Sequence, residues 1–417
     1  MNTVYKIEVR YRGWDESWSL GTLVSNGRQT LFEYSPTALE RGIEFSPWKV
    51  KLAKQTYTNF PDYQLFLPGF IADSLPDGWG MLLMDRFFKK HYGKEKFEIN
   101  PLERLAFLGE NTTGAYTYHP TSSNTIDIAN MSLQELAIAY ADIEEGKDVE
   151  LLSTLALRGG SAHGARPKAL VYYDRETGLM NTNPFQGGEP WLVKFNAREE
   201  HIEVCEIEQA YYDMAKLCNI PVASSLVIPI DKKICAIAMK RFDRIGNIRV
   251  PMHSLAGAYA TNFRTPNLSC LDYLKMTRFM TNSIEEAHKA FKYCVFNVCM
   301  NNRDDHSKNF SFLLNQSNRW EVSPAYDLTY NTGPSGHHQM DFNGEAYRPN
   351  REDLLMDAQK AGLNMMRATN DMDEIIDHTS QSAKLLTDFK IRKATIKEIS
   401  TKIDTNILRL SHSKLST

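Results

Sequence analysis

Apolar and polar residues alternate at the start of the chain, where Tyr5, Ile7 and Val9 interleave with Lys6, Glu8 and Arg10. A period of two puts successive side chains on opposite faces of a strand, and Leu20-Gly21-Thr22-Leu23-Val24 reads the same way. The first third therefore opens with short antiparallel strands. The pattern changes at Leu75. From there to His91, Met81, Leu82, Met84, Asp85, Phe87 and Phe88 fill a compact amphipathic helix, with Pro76 expected in its first turn. Thr112-Thr113-Gly114-Ala115-Tyr116 marks a turn into another strand, and the polar run Pro120-Thr121-Ser122-Ser123-Asn124 is the first candidate boundary.

Beyond it the pattern predicts a short helix around Leu133–Ala141, a glycine-containing segment at 159–164, and strands at Ala169–Tyr173 and Trp191–Phe195. A helix follows from about Ile202 to Leu217, stopped by Asn219-Ile220-Pro221, and then strands at Ser225–Ile228 and Ile234–Met239. After Gly246 the pattern is mostly helical, with Leu268–Thr281, Ile284–Met300 and long C-terminal helices. The organisation expected is 1–120, 121–245 and 246–417, which suits a chain of 417 residues. No internal repeat and no low-complexity segment interrupts it.

Composition narrows the class. Hydrophobic content of 42% and charged content of 24% are ordinary for a globular protein. A net charge of −3 gives no electrostatic reason to expect autonomous nucleic-acid binding. The six cysteines form no Cys-x-x-Cys pair and mostly sit among apolar residues, so buried reduced thiols are expected and zinc or thioredoxin-like chemistry is not. Met1–Lys6 lacks a signal-peptide core and no run of about 18 apolar residues suggests a membrane span, so a cytoplasmic protein is expected.

The chemistry concentrates in Asn301-Asn302-Arg303-Asp304-Asp305-His306-Ser307-Lys308-Asn309 and, downstream, Ser323-Pro324-Ala325-Tyr326-Asp327. An acidic residue five positions before an asparagine, with a second acidic residue further on, is the order of the catalytic and metal-binding loops of protein kinases. Asp304 can accept the proton of an attacking hydroxyl. Asn309 and Asp327 offer the oxygen ligands that Mg²⁺ prefers. Lys308 can reach a transferring phosphoryl group and offset its charge. Read alone, Asp327 would be an N-cap; its place beyond the short strand Phe310–Leu314 makes it a metal ligand. A rival is a metal-dependent hydrolase built on Asp305-His306, with His337-His338 as the only other clustered histidines.

Upstream, Lys194 lies late in the apolar strand Leu192-Val193-Lys194-Phe195, where a lysine either snorkels or pairs. Strand–strand–helix–strand–strand around it is the outline of a kinase small lobe. There such a lysine touches the α- and β-phosphates and is oriented by a helix glutamate; Glu208 is the expected partner and Glu206 the second choice. Gly159-Gly160-Ser161-Ala162-His163-Gly164-Ala165-Arg166-Pro167-Lys168 can wrap phosphates with backbone N–H groups. It begins like a Walker loop but continues Ala165-Arg166, which disfavours a P-loop NTPase. Met239-Lys240-Arg241-Phe242-Asp243-Arg244 lies where a kinase hinge would be, with backbone groups for adenine.

Taken together these residues resemble the HipA family of bacterial toxin kinases over nearly the whole chain. Leu75-Pro76-Asp77-Gly78 with Arg86 resembles the family's N-terminal signature, Ser161–Lys168 its nucleotide loop, Arg241–Arg244 its hinge, and Asp304–Asn309 with Tyr326-Asp327 its catalytic and metal motifs. The resemblance implies an α+β, protein-kinase-like two-lobed fold. It has a mixed β/α small lobe, a large all-helical C-terminal lobe and an extra N-terminal α/β subdomain. It implies a Ser/Thr kinase with Asp304 as catalytic base, Asn309 and Asp327 on Mg²⁺ and Lys194 on the phosphates. ATP contacts would come from Ala162, His163, Gly164, Ala165, Arg166, Pro167 and Lys168, from Lys240, Arg241 and Phe242, and from His306, Ser307, Lys308 and Asn309. Ser161 falls on the serine that the family autophosphorylates, and the added charge should repel nucleotide phosphates and eject the loop.

Family members are growth-arresting toxins of toxin–antitoxin pairs, linked to persistence. They pair with a HipB-like helix-turn-helix antitoxin that binds operator DNA as a dimer, so DNA is reached through the antitoxin. Substrates include aminoacyl-tRNA synthetases. The chain departs from the family at Lys240, where an acidic residue is frequent, and at Asp305, which replaces a frequent glycine and is expected to add negative charge near the metals. A second reading is a catalytically silent nucleotide-binding partner of the antitoxin; intact Lys194, Asp304, Asn309 and Asp327 argue against it.

Overall fold

A computed structural model describes residues 4–122, 129–147, 149–159 and 164–411. The alternating N-terminal runs form β1 (Lys6–Gly13) and β2 (Glu16–Ser25), joined by β3 (Thr30–Tyr34) and β4 (Tyr116–His119) in one antiparallel sheet of order β3-β2-β1-β4. Ile7, Val9 and Tyr11 of β1 are all buried, as the period of two requires. Between β3 and β4 the chain forms α1 (Pro36–Arg41), α2 (Gly69–Ala72), α3 (Gly78–Tyr92) and α4 (Pro101–Leu108). Phe70 of α2 meets Phe32 at 5.7 Å and Tyr116 at 5.4 Å, edge to face, and seals the sheet against the helices.

Helix α3 begins later than its apolar pattern suggests. Pro76 lies ahead of the helix rather than in its first turn, because Asp77 is the extended N-cap and Gly78 takes a φ of +39°. That backbone lets Gly78 pass under Gly164: a Cβ at position 78 would lie 2.6 Å from the Gly164 carbonyl oxygen.

Helices α5 (Leu133–Glu144) and α6 (Leu152–Gly159) lead into β5 (Lys168–Tyr173), β6 (Met180–Asn181), β7 (Glu189–Phe195), α7 (Glu203–Leu217), β8 (Ser225–Pro229) and β9 (Cys235–Lys240). The strands form an antiparallel sheet of order β6-β5-β7-β9-β8. β7 is central, and its Lys194 is flanked by Lys168 on β5 and Ile237 on β9. Helix α7 lays Cys205, Glu208, Tyr211, Tyr212 and Ala215 inward. Ile207, Ala210 and Met214 are buried as well, so the helix is enclosed on most of its circumference.

The remainder holds a hairpin of β10 (Arg244–Ile245) and β11 (Ile248–Arg249), then β12 (Met252–Ser254), α8 (Leu255–Tyr259), β13 (Leu268–Ser269), α9 (Cys270–Thr281) and α10 (Ile284–Cys299). After these come β14 (Ser311–Leu314), β15 (Trp320–Val322), β16 (Met340–Asp341), α11 (Arg351–Lys360), α12 (Met365–Thr379), α13 (Ser382–Leu386) and α14 (Lys393–Ser411). This corrects the expectation of an all-helical C-terminal part. β12, β14 and β15 form an antiparallel sheet and β13 pairs with β16 in parallel. Of these strands only β14 is legible in the sequence, as Phe310–Leu314; the strands of two or three residues carry too little periodicity to register, and packing of Phe310 and Phe312 on Tyr273 and of Phe310 on Tyr293 fixes this region in the fold. All six cysteines are buried free thiols. Among the described residues no helix is long and apolar enough to cross a membrane.

Candidate active site

Lys194 reaches the site because β7 is central and its side chain points to the α7 side. Its Nζ donates to Glu208 Oε1 at 2.8 Å and forms a very short ion pair with Asp327 Oδ1. Glu208 and Lys194 are both buried. Burial opposes the charge on Lys194, but Asp327 and Glu208 outweigh it and raise the amine's pKa above its ordinary value. Burial likewise pulls the Asp327 carboxyl upward, yet Lys194 and Lys168 hold it down at about 2. Lys168, paired with Lys194 across β5 and β7, has the opposite fate: burial lowers its amine to about 8. Three groups thus stay charged or nearly so in a low-dielectric place, where fixed charges act strongly on a bound anion.

The loop 301–309, expected to be catalytic, emerges from the end of α10. Asn309 Nδ2 donates to the backbone oxygen of Asp304 at 2.7 Å, and Asn309 N to His306 O at 2.8 Å, which ties the five-residue spacing into a closed turn. Tyr326, whose ring faces Phe242 at 5.4 Å, donates from its hydroxyl to Lys308 O at 2.6 Å, and Tyr293 donates to Tyr326 O at 2.8 Å. The loops carrying Asp304 and Asp327 are thereby pinned to one another. Asp327 itself has a φ of +54°, a left-handed conformation that aims its side chain at Lys194. Asp304 Oδ1 accepts from Gln339 Nε2 at 2.8 Å and lies 3.9 Å from His306 Nε2. Its carboxyl is raised above the usual range, chiefly by burial and further by Asp327 and Asp305, against His306. Its side chain nevertheless keeps 42% of its surface exposed and is open to a reactant.

Lys194 and Asp327 stand where two ends of one cleft meet. The end beside the segment expected to be a hinge, about 730 Å³, is lined by Leu170, Leu192, Met239, Phe242, Met252 and Tyr326 and is mostly apolar. The polar end, about 1300 Å³, is lined by Gly164, Lys168, Asp304, His306 and Asn309. At the hinge, the Lys240 and Arg241 N–H groups donate to Ser224 O and Pro190 O. Pro190 has no N–H to return, so the Arg241 carbonyl receives no bond from it. Lys240 Nζ is neutralised by Glu189 Oε1 at 2.6 Å, which supplies the acidic partner on the neighbouring strand. The Arg241 side chain turns from the cleft to Asp243, with bonds of 2.9 and 2.8 Å.

Other predicted site residues fall as follows. Arg166 bonds Glu200 at 3.0 Å and Glu208 at 3.4 Å, so it braces the Lys194 partner. Lys308 is 3.4 Å from Asp77 Oδ2 and 4.7 Å from the Phe263 ring centroid; it lines the neighbouring pocket with Asp73 and Asp77 and not the polar end of the cleft, so the expected contact with a transferring phosphoryl group is not formed by this side chain as it stands. Ala165 and Gly164 line the cleft. Pro167 accepts from Phe195 N at 2.9 Å and Ser307 is buried in the catalytic turn. Ser161, Ala162 and His163 lie outside the described residues.

Asp305 departs from the expectation of a charge near the metals. It is buried behind the loop, accepting from Gln339 N at 2.7 Å and paired with His338 Nδ1 at 2.8 Å. That pair disfavours the hydrolase reading, for His338 is committed to Asp305 behind the loop. Two participants escaped the sequence reading as site residues. Asp77 receives a very short hydrogen bond from Gly164 N and also meets Lys308. Gln339 orients Asp304. Asp77 sat in a noted motif without a role; nothing local marks Gln339.

Comparison with known proteins agrees with this architecture. The family model described as the HipA-like C-terminal domain matches residues 160–385, and the HipA N-terminal domain matches residues 14–119. The chain is 24% identical over 349 residues to the protein named "Putative kinase Y4dM" of Sinorhizobium fredii, covering 79% of this chain and 78% of that one. Its fold is similar to that of HipA from Shewanella oneidensis, solved as a complex with HipB and operator DNA. The TM-score is 0.71 at 17% identity, over 97% of each chain. With more than half of its length matched by the C-terminal model and most of the remainder by the N-terminal one, the chain belongs to the HipA family.

Proposed function

We propose that this chain is an ATP- and Mg²⁺-dependent protein serine/threonine kinase that acts as a HipA-like toxin. Its substrate class would be a component of translation such as an aminoacyl-tRNA synthetase, and Ser161 would be its own phosphorylation site. One observation carries the reading: a buried lysine held between a helix glutamate and the Asp327 carboxylate, beside Asp304 and Asn309, at the junction of an apolar and a polar cleft. A nucleotide fits such a cleft with its base at the hinge end and its phosphates on Lys194 and Lys168.

The donor set suits Mg²⁺. Asp327 keeps Oδ2 outside its Lys194 pair, and Asn309, donating through Nδ2, keeps Oδ1. These are hard oxygens too few to cage a metal alone, the usual condition for an ion shared with phosphates and water. When bound, Mg²⁺ supplies charge neutralisation on the phosphate oxygens. The chain's own residues do the rest. Lys194 positions the phosphates. Asp304, held by Gln339 through Oδ1, takes the proton of the incoming serine or threonine hydroxyl as its oxygen bonds to the γ-phosphorus and the bond to ADP breaks. Its raised carboxyl makes it a stronger base than an ordinary aspartate. A HipB-like antitoxin is the proposed partner, supported by the HipB complex of the Shewanella protein. The test is label transfer from γ-labelled ATP: Asp304→Ala and Asp327→Ala are each expected to lose it while remaining folded. Normal transfer by either variant would remove the role assigned to that residue.

A further inference from the structure

Behind the catalytic loop lies a second pocket, about 830 Å³, that shares no lining residue with the cleft. Four cations converge on it: Arg303 from the loop, Arg348 from the 332–348 segment, and Lys402 and Arg409 from α14. No acidic residue lines it, and among the described residues none of the four has a salt bridge. The Arg303 guanidinium uses Nε on Asn301 Oδ1 at 3.1 Å and Nη1 on Gly336 O. Arg409 uses Nη2 on Asn406 Oδ1 at 2.6 Å and Nη1 on Pro349 O at 3.3 Å. Arg303 and Arg348 both lie over the Tyr347 ring, at 5.9 and 5.1 Å from its centroid. All these partners are neutral, and the one acidic group acting on Arg303, Asp305, does so from outside the lining while paired with His338, so no carboxylate within the pocket offsets the four charges. Glu345 acts on Arg409 from outside the lining, and its Oε1 already accepts from Tyr347 N and Arg348 N. Burial, then Arg303 and Arg348, depress the Arg409 guanidinium.

Like charges gathered this way repel, and arginine forks match the oxygens of phosphate. We infer that this pocket is a binding site for a phosphoryl dianion, separate from the nucleotide cleft. The hydroxyls of Thr332 and Thr405 add neutral donors at its wall. It is coupled to the catalytic loop by one residue. Asn301 Oδ1 accepts from both Arg303 Nε and Asn406 Nδ2, at 3.1 and 3.2 Å, and Arg303 precedes Asp304 in the chain. The phosphoryl group comes either from free phosphate or from this chain's own Thr332, which is exposed at the pocket wall.

The experiment is thermal unfolding of the full chain, shown by mass to carry no phosphate, in inorganic phosphate against chloride at matched ionic strength. Wild type is compared with Arg348→Gln/Arg409→Gln. Phosphate stabilises proteins generally by exclusion, so the difference between the two proteins reads the site. The wild type should show a saturable extra rise, and the variant should need on the order of tenfold more phosphate for it. Equal responses overturn the proposal. Unchanged nucleotide binding by the variant shows that it is folded, and keeps this result separate from the fate of the kinase reading. If the double variant does not fold, Lys402→Gln at the exposed rim replaces it: a weakened response supports the site and an unchanged one overturns it. If the purified chain carries phosphate on Thr332, the source is the chain itself. Thr332→Ala must then gain the saturable response to free phosphate, and its absence overturns the proposal.

Discussion

Individual side chains here owe their behaviour to neighbours that the sequence does not place beside them. Lys194 was legible because a lysine inside an apolar strand must find a partner, and Glu208 was the right face of the right helix. The direct pair with Asp327, 133 positions away, was not, because it depends on how two distant loops fold together. Asp357 shows the same dependence away from the site. It is buried on α11, accepts from Asn343 N at 3.0 Å, and burial, with Asp341 adding to it, pushes its carboxyl up to about 6. The unfolded carboxyl titrates near 3.9, at about the ordinary value. The folded state therefore holds this proton more tightly. The associated stability is complete below about pH 4 and is lost as pH rises through about 6. Asp357→Asn should not suffer that loss. Measured by urea unfolding, its stability relative to wild type should shift in its favour by on the order of 2–3 kcal/mol between pH 4 and pH 7.5. A constant difference across that range would mean the carboxyl is not held protonated.

Long helices and the strands with a clear period of two were readable, and α7, α9, α10, β5, β7 and β9 lie within a residue or two of where the pattern puts them. What escaped was set by contacts between elements. The start of α3 is the clearest case: propensity would carry the helix back through Pro76, but docking on Gly164 makes Asp77 a cap and Gly78 a turn. Trp79 N donates to Gly164 O at 3.1 Å, and Gly164 N donates to Asp77, so the N-terminal part of the chain grips the loop preceding Lys168 from both sides. Gly78→Ala would put a Cβ 2.6 Å from that carbonyl at a φ that side chains avoid. It should cost about 1–3 kcal/mol in urea unfolding and weaken nucleotide binding with it. Full stability together with full nucleotide affinity in that variant would mean the grip does not matter.

Across the whole molecule, the segment read as a hinge is also the bolt between the first sheet and the rest. Asp243 accepts from Arg241, from Arg244 at 2.7 Å and from Gly114 N at 2.8 Å, while Arg244 reaches Gly114 O at 3.0 Å and Thr112 O at 2.7 Å. Burial pulls the Asp243 carboxyl up, but Arg241 and Arg244 carry it well below the carboxylate range. Sequence reading gave this motif only a nucleotide role, because its partners lie some 130 positions upstream. Asp243→Ala leaves two buried guanidiniums unpaired and should cost about 3–5 kcal/mol. Limited proteolysis should then cut first near 110–120, where the bolt is anchored. Cleavage no faster than in wild type would show that the first sheet is held by its apolar contacts alone.

The account rests on the claim that the cleft transfers the γ-phosphoryl group of ATP to a hydroxyl. The most direct measurement is incubation of unphosphorylated protein with γ-labelled ATP and Mg²⁺, followed by peptide mass spectrometry, for wild type, Asp304→Ala and Ser161→Ala. The prediction is label on Ser161 in wild type, and none at that position in either variant. Nucleotide bound by the wild type with no label on any peptide, in the chain or in an added cell lysate, would contradict it and leave a nucleotide-binding protein without phosphotransfer.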